Sequence, residues 1–202
     1  MVIRPLNKKI LLFAVLLLLV GFFFLKQNKA IAPTEQKITV SNIPLENAKE
    51  RVTKKPFEIL ISKETSPVQP EKFGGYHTGT DFETFADEQD KDIQVRVICE
   101  GDLVLRKTAT GYGGVAVQAC NLNEQPVTVI YGHLKLSSIK TDGLFKKGDV
   151  IGILGKGYSS ETDGERKHLH LGIHKGTSIN ILGYVQKQDD LKNWLNPLDF
   201  LQ

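Results

Sequence analysis

Apolar residues follow three different regimes along this chain. Residues 10–25 are an unbroken apolar run apart from Gly21, with Arg4, Lys8 and Lys9 ahead of it and Lys26 and Lys29 behind. Sixteen residues is short for a membrane helix, which takes about 20, but flanking lysines reach the interface along their own stems. Ala30-Ile31-Ala32 has the small-x-small form of a signal-peptide cleavage site, whereas Pro33 directly after it opposes cleavage. The expectation is an uncleaved signal anchor over residues 1–26, a transmembrane helix with its basic flank inside and the rest of the chain exported. Residues 27–51 are polar, contain Pro33 and Pro44, and read as an extracytoplasmic linker whose one helical hint is LENAKER.

From residue 52 onward the period changes to two. PFEILIS alternates between apolar and polar positions, IQVRVICEGDLVLRK, GVAVQAC and QPVTVIYGHLKL follow as further strands, and Gly-rich or Pro-containing turns separate them. Short β elements of this kind predict a mainly β domain over 52–202, built from a curled antiparallel sheet. Only DDLKNWLNPLDFL has helical spacing: Leu191, Trp194 and Leu195 predict a short C-terminal helix packed on the sheet before Pro197 interrupts it. Trp194 reads as a core anchor in preference to a sugar-stacking platform.

Charge changes this picture little. The chain has 26 basic and 23 acidic residues; five of the basic ones fall in the first thirty positions, which leaves the remainder nearly neutral. No basic face for nucleic acid is implied. The length after the anchor suits one compact domain, and no solenoid-period repeat is present. Cys99 and Cys120 lie equidistant from a turn at Ala109 and Thr110, and an exported domain permits a disulfide between them; free buried cysteines are the alternative. The absence of CxxC argues against a structural zinc on thiolates.

The candidate chemistry lies in the histidines. Four of the five occur in three phrases: His77 with Asp81 in GYHTGTDFE, His133 in YGHLKL, and His168 with His170 in RKHLHL. A catalytic zinc takes three ligands from imidazole and carboxylate and keeps a fourth position open. Leu169, Leu171 and Ile173 alternate with His168, His170 and His174, so both paired histidines face one way off a strand whose other face enters the core. Residues two apart on a strand are about 6.5 to 7 Å apart, so one imidazole of the pair binds the metal and its neighbour faces whatever the metal holds. His77 and Asp81 are four apart, about 13 Å along a straight strand, so the chain must bend between them, and Gly79 supplies the freedom. His174 lies one step further out and reads as rim.

Together these phrases, with the Gly-rich KKGDVIGILGKG segment between the second and third, resemble the LytM and lysostaphin type of zinc metalloendopeptidase, which cuts peptide bridges in bacterial cell walls. The likeness runs from about Val52 to the end. It implies a sheet of that family's duplicated-hybrid type and one zinc per domain, with His77, Asp81 and His170 as metal ligands. His133 and His168 are then the catalytic pair, and peptidoglycan peptides are the substrate. The segment YSSETDGERK departs from the family's usual Ser-Thr-Gly-Pro turn, and the resemblance places it at the groove, where it bears on substrate preference. Loops 85–92, 121–126 and 158–167 are expected to wall that groove. The expected protein is a single-pass bacterial membrane protein with an extracytoplasmic peptidase domain. The alternative is a slow or non-hydrolytic relative that activates other wall hydrolases. A biotinyl or lipoyl-like carrier, suggested by KKGDVIGILG, lacks the methionine-flanked lysine of the biotin-carrying type, since Met1 is the only methionine, and leaves the histidines unexplained.

Overall fold

The computed structural model describes residues 42–141 and 143–201. The apolar run and the first part of the linker lie outside them, and among the described residues no helix is long and apolar enough to cross a membrane. Short strands begin the domain: β1 (Leu60–Ile61), β2 (Gly75–His77), β3 (Gly79–Glu83) and β4 (Gln94–Arg96). Three long ones follow, β5 (Gly101–Ala109), β6 (Gly113–Leu122) and β7 (Gln125–Leu134). Then come β8 (Leu144–Phe145), β9 (Val150–Ile153), β10 (His168–Lys175), β11 (Tyr184–Val185) and β12 (Trp194–Leu195).

All pairings are antiparallel. The main sheet runs β12-β10-β7-β6-β5-β8, with β3 also against β10; β1-β2-β11 and β4-β9 form two small sheets. Its central strands are buried on both faces. Leu169, Leu171 and Ile173 of β10 join Val127, Val129 and Tyr131 of β7 in one apolar cluster, while Val115, Val117 and Ile130 pack with Trp194 in a second. Each such aliphatic side chain contributes about 1.5 to 3 kcal/mol by leaving water. This burial holds β10, and with it the paired histidines, rigidly in the middle of the sheet.

Three expectations are changed by the fold. The short C-terminal helix forms only in pieces: Gln188–Asn193 and Pro197–Phe200 are 3-10 helices, and Trp194 and Leu195 between them are extended against His174 and Ile173. Asn196 precedes a proline and is therefore disfavoured in α geometry; its side chain caps the Leu198 N–H instead. The open edge of β10 offers the segment backbone partners that a helix would forgo. Trp194 is nevertheless a core anchor, 4% exposed.

The end of the segment read as linker belongs with the domain. Leu45 and Ala48, three apart in LENAKER, are buried in the main cluster, and the Arg51 guanidinium forks onto Glu88 at 2.6 and 2.8 Å. Cys99 and Cys120 form a disulfide, though not as direct cross-strand partners. Gly101 is the residue opposite Cys120, a bulge separates Leu103 from Leu105, and Cys99 lies just before β5. Tyr131 Oη donates to buried Gln118 Oε1 and accepts from Ile98 N, which satisfies the polar groups beside the bridge.

Candidate active site

β10 presents His168 and His170 on one face because its alternate leucines are in the core, as the sequence pattern requires. β3 lies antiparallel beside it with Asp81 opposite His170, so the carboxylate meets the imidazole across the ladder: His170 Nδ1 is 3.1 Å from Asp81 Oδ1. His77 arrives from a different sheet. Between His77 and Gly79 the chain leaves β2 and enters β3, and Thr78 pins the switch by donating its N–H to Gly183 O and its hydroxyl to Leu182 O. Gly79 matters there for space: a Cβ on it would lie 2.7 Å from His170 Nε2 and 2.5 Å from Leu171 O.

His77 Nδ1 is 3.1 Å from the Pro56 carbonyl, which can only accept, so Nδ1 carries the hydrogen and Nε2 a lone pair. That lone pair faces His170 Nδ1 at 3.1 Å and Asp81 Oδ1 at 3.4 Å. Ligand atoms of His77, Asp81 and His170 thus converge within 4.8 Å of one another, all three residues buried. Two imidazole nitrogens and one carboxylate oxygen form a donor set suited to zinc.

His133 reaches the same place by a device invisible to pattern reading. Gly114 pairs with Leu134 and Val115 with Gly132, so His133 is the extra residue of a β-bulge, with φ +61°. The bulge turns its ring toward His168, the centroids 4.1 Å apart. His168 donates from Nδ1 to the Arg166 carbonyl at 2.9 Å, and its Nε2 lies 3.3 Å from Asp81 Oδ2. All five residues expected at the site are therefore together, each no more than 4% exposed. His174 is elsewhere, edge-on to Trp194.

Burial raises the Asp81 carboxyl, but the imidazoles of His168, His77 and His170 that face it hold it well below the carboxylate range. Burial pushes His170 down to about 4 against its hydrogen bond to Asp81, which raises it, and burial with the neighbouring His168 pushes His133 well down. His170 and His133 are neutral at pH 7, the state a metal ligand and a neutral N–H donor require.

A cavity of about 410 Å³ adjoins His170, lined among others by Lys72, Phe73, Tyr112, Leu182 and Tyr184. Tyr112 and Tyr184 are site neighbours that pattern reading missed: the Tyr112 ring is 5.2 Å from His170 and 5.6 Å from His133, and Tyr184 is 5.2 Å from His77. The available signal was GYGG, a turn that brings a bulky ring between glycines. Loop 158–167 lies at the site end of β6 and β7, where Glu161 O packs on Gly113, and Lys167 Nζ ties it to loop 85–92 through Glu88 O and Gln89 O. Loop 121–126 is at the opposite end. Asn121 and Pro126 pair at the far end of the hairpin, roughly 20 Å from His133 at strand rise, and it does not wall the site.

The sequence model of peptidase family M23 matches residues 75–181, a span holding all five site residues. The chain belongs to peptidase family M23. The resemblance to the LytM and lysostaphin type stands with it. Solved structures similar to this M23 chain include LytU, at 21% identity over 74% of this chain and 83% of that one, TM-score 0.48. The catalytic domain of the antimicrobial peptidase lysostaphin from Staphylococcus simulans matches at 19% identity over 76% and 96%, TM-score 0.48. Csd3 from Helicobacter pylori matches at 21% identity over 79% of this chain but only 34% of its own, TM-score 0.46. No curated protein sequence matches the chain.

Proposed function

We propose that this M23 chain is a membrane-anchored zinc metalloendopeptidase that hydrolyses peptide cross-links of bacterial peptidoglycan. In this reading its domain is extracytoplasmic and the apolar run within residues 1–26 is its anchor. The observation that carries the proposal is the convergence of His77 Nε2, Asp81 Oδ1 and His170 Nδ1 on one point, with His133 and His168 beside them. Two features support the wall as substrate: an apolar run of the kind that exports a following domain, and membership of a peptidase family.

His77, Asp81 and His170 would hold a zinc ion, which would supply a Lewis acid and a water of lowered pKa. The protein's own groups do the rest. His168 has its Nδ1 hydrogen committed to the Arg166 carbonyl, which leaves Nε2 to take a proton from the attacking water and return it to the leaving amine. His133, kept neutral by burial and by His168, donates an imidazole N–H to the peptide oxygen as negative charge gathers there. Asp81 faces His168 and His170 at 3.3 and 3.1 Å, and the apolar packing behind β10 keeps these two imidazoles from turning away.

A slow regulatory relative is the second reading, and the near-complete burial of all five residues favours it. Incubation of the full chain with zinc and purified peptidoglycan of several cross-link types, read by mass spectrometry for new amino termini, separates the two. New ends that vanish in His168→Ala support the peptidase and name its bond. Bound zinc with no cleavage of any wall type supports the regulator.

A further inference from the structure

Arg166 comes from YSSETDGERK, the stretch that departs from the family's usual turn, and it reaches into the site. It is 6% exposed. Its Nη2 donates to Asp81 Oδ2 at 2.8 Å, and its Nε and Nη2 fork onto Glu83 at 2.9 and 2.5 Å. The two oxygens of Asp81 are thereby divided. Oδ1 faces His77 and His170, whereas Oδ2 faces Arg166 and, at 3.3 Å, His168 Nε2. The main chain of the same residue takes the Nδ1 hydrogen of His168.

We propose that Arg166 is a positioning residue that makes Asp81 a one-oxygen ligand and keeps His168 Nε2 available. This rests on the assignment of His77, Asp81 and His170 as metal ligands. A carboxylate free to rotate offers a metal either oxygen or both, and its second oxygen also attracts an imidazole N–H. The planar guanidinium opposes both alternatives by donating to Oδ2 from a fixed direction at 2.8 Å, closer than His168 Nε2 at 3.3 Å, and Glu83 fixes the guanidinium in turn. Asp81, Arg166 and Glu83 form a buried chain of alternating charge, so no member is left unpaired. Lysine carries the charge but not the fork, so it restores the function only in part. Metal-site partners one layer out tune affinity and orientation in this way.

The test uses the full chain as wild type, Arg166→Gln, Arg166→Lys and Glu83→Gln. Zinc affinity is measured by competition with a chromophoric chelator, the visible spectrum is recorded after loading with Co²⁺, and kcat and KM are measured on whichever wall fragment the wild type cuts. Arg166→Gln is expected to weaken zinc binding about 10- to 100-fold, change the cobalt spectrum and lower kcat with KM little altered. Arg166→Lys recovers part of each, and Glu83→Gln, which loosens the guanidinium without removing it, falls between. Unchanged zinc affinity and cobalt spectrum with only a lower melting temperature would make Arg166 a structural ion pair and overturn the proposal. Tighter zinc binding in Arg166→Gln would also overturn it, because the guanidinium would then be a competitor for Asp81. A wild-type chain that takes up neither zinc nor cobalt removes the ligand assignment itself, a result seen before any variant is compared.

Discussion

Two buried carboxylates in this domain are built in contrasting ways. Glu71 has every oxygen occupied by protein donors: Oε2 accepts from Lys55 Nζ at 2.5 Å and Ser66 Oγ at 2.7 Å, and Oε1 from the Lys72 and Phe73 N–H groups at 3.0 Å. Asp81 has one oxygen held by Arg166 at 2.8 Å, and the other faces the His77 lone pair and His170 Nδ1. The first arrangement is complete and cements loop to strand. The second sets the His77 Nε2 lone pair 3.4 Å from the Asp81 carboxylate, an arrangement that a bound cation would relieve. Burial and nearby positive charge are common to both, so neither distinguishes a ligand from a structural carboxylate; the count of donors around each oxygen does.

The sharpest way to break this contrast is to remove each carboxylate. Asp81→Ala should bind no zinc and fall to background hydrolysis with the fold retained, measured by metal content, circular dichroism and wall digestion. A zinc-replete Asp81→Ala protein would end the ligand assignment. His168→Ala should keep its zinc while turnover falls about 10²- to 10⁴-fold, since only a proton acceptor is lost; near-native turnover would remove His168 from that role. Glu71→Ala should do the reverse of Asp81→Ala. It leaves the Lys55 ammonium buried and unpaired, at a cost of about 3 to 5 kcal/mol, while the folded fraction keeps full zinc. Urea melts beside metal analysis check both halves.

Acid gives the smallest and most selective effect. His170, near 4 in the fold, and His133, also lowered, resist protonation that the unfolded chain accepts near 6.5. Their stabilisation is complete above that value and is lost as pH falls through it toward about 4. Glu71 is also lowered: burial raises it, and the hydrogen bonds from Lys55 and Ser66 outweigh that. Its contribution is lost only as pH falls below its ordinary 4.5. Melting temperature should therefore decline from pH 7 to 5 with the same slope in wild type and Glu71→Gln. A flat profile over that range would contradict the burial of neutral imidazoles.

The legibility of the site divides along the same line as its bonding. Alternation in HLHLGIH was sufficient to put His168 and His170 on one face, and Gly79 between His77 and Asp81 marked a break in the chain. Helical spacing at Leu191, Trp194 and Leu195 was misleading because the edge of β10 was available to pair with Trp194 and Leu195. Equal distance from a presumed turn placed Cys99 opposite Cys120, yet the ladder closes at Gly113 and carries a bulge, so the disulfide forms off the register.

From its sequence alone the chain was readable as a mainly β domain behind an apolar run, with two imidazoles on one strand face and a His-Asp pair upstream. Those features are periodic or local, and strand geometry alone translates them into position. Only the tertiary structure decided that His133 stands on a bulge with φ +61°, that Pro56 fixes the His77 tautomer from 21 residues away, and that Arg166 holds Asp81 from 85 residues away. Each depends on the register between strands remote in the chain. A register is set by the packing of whole faces, and no short stretch of residues carries it.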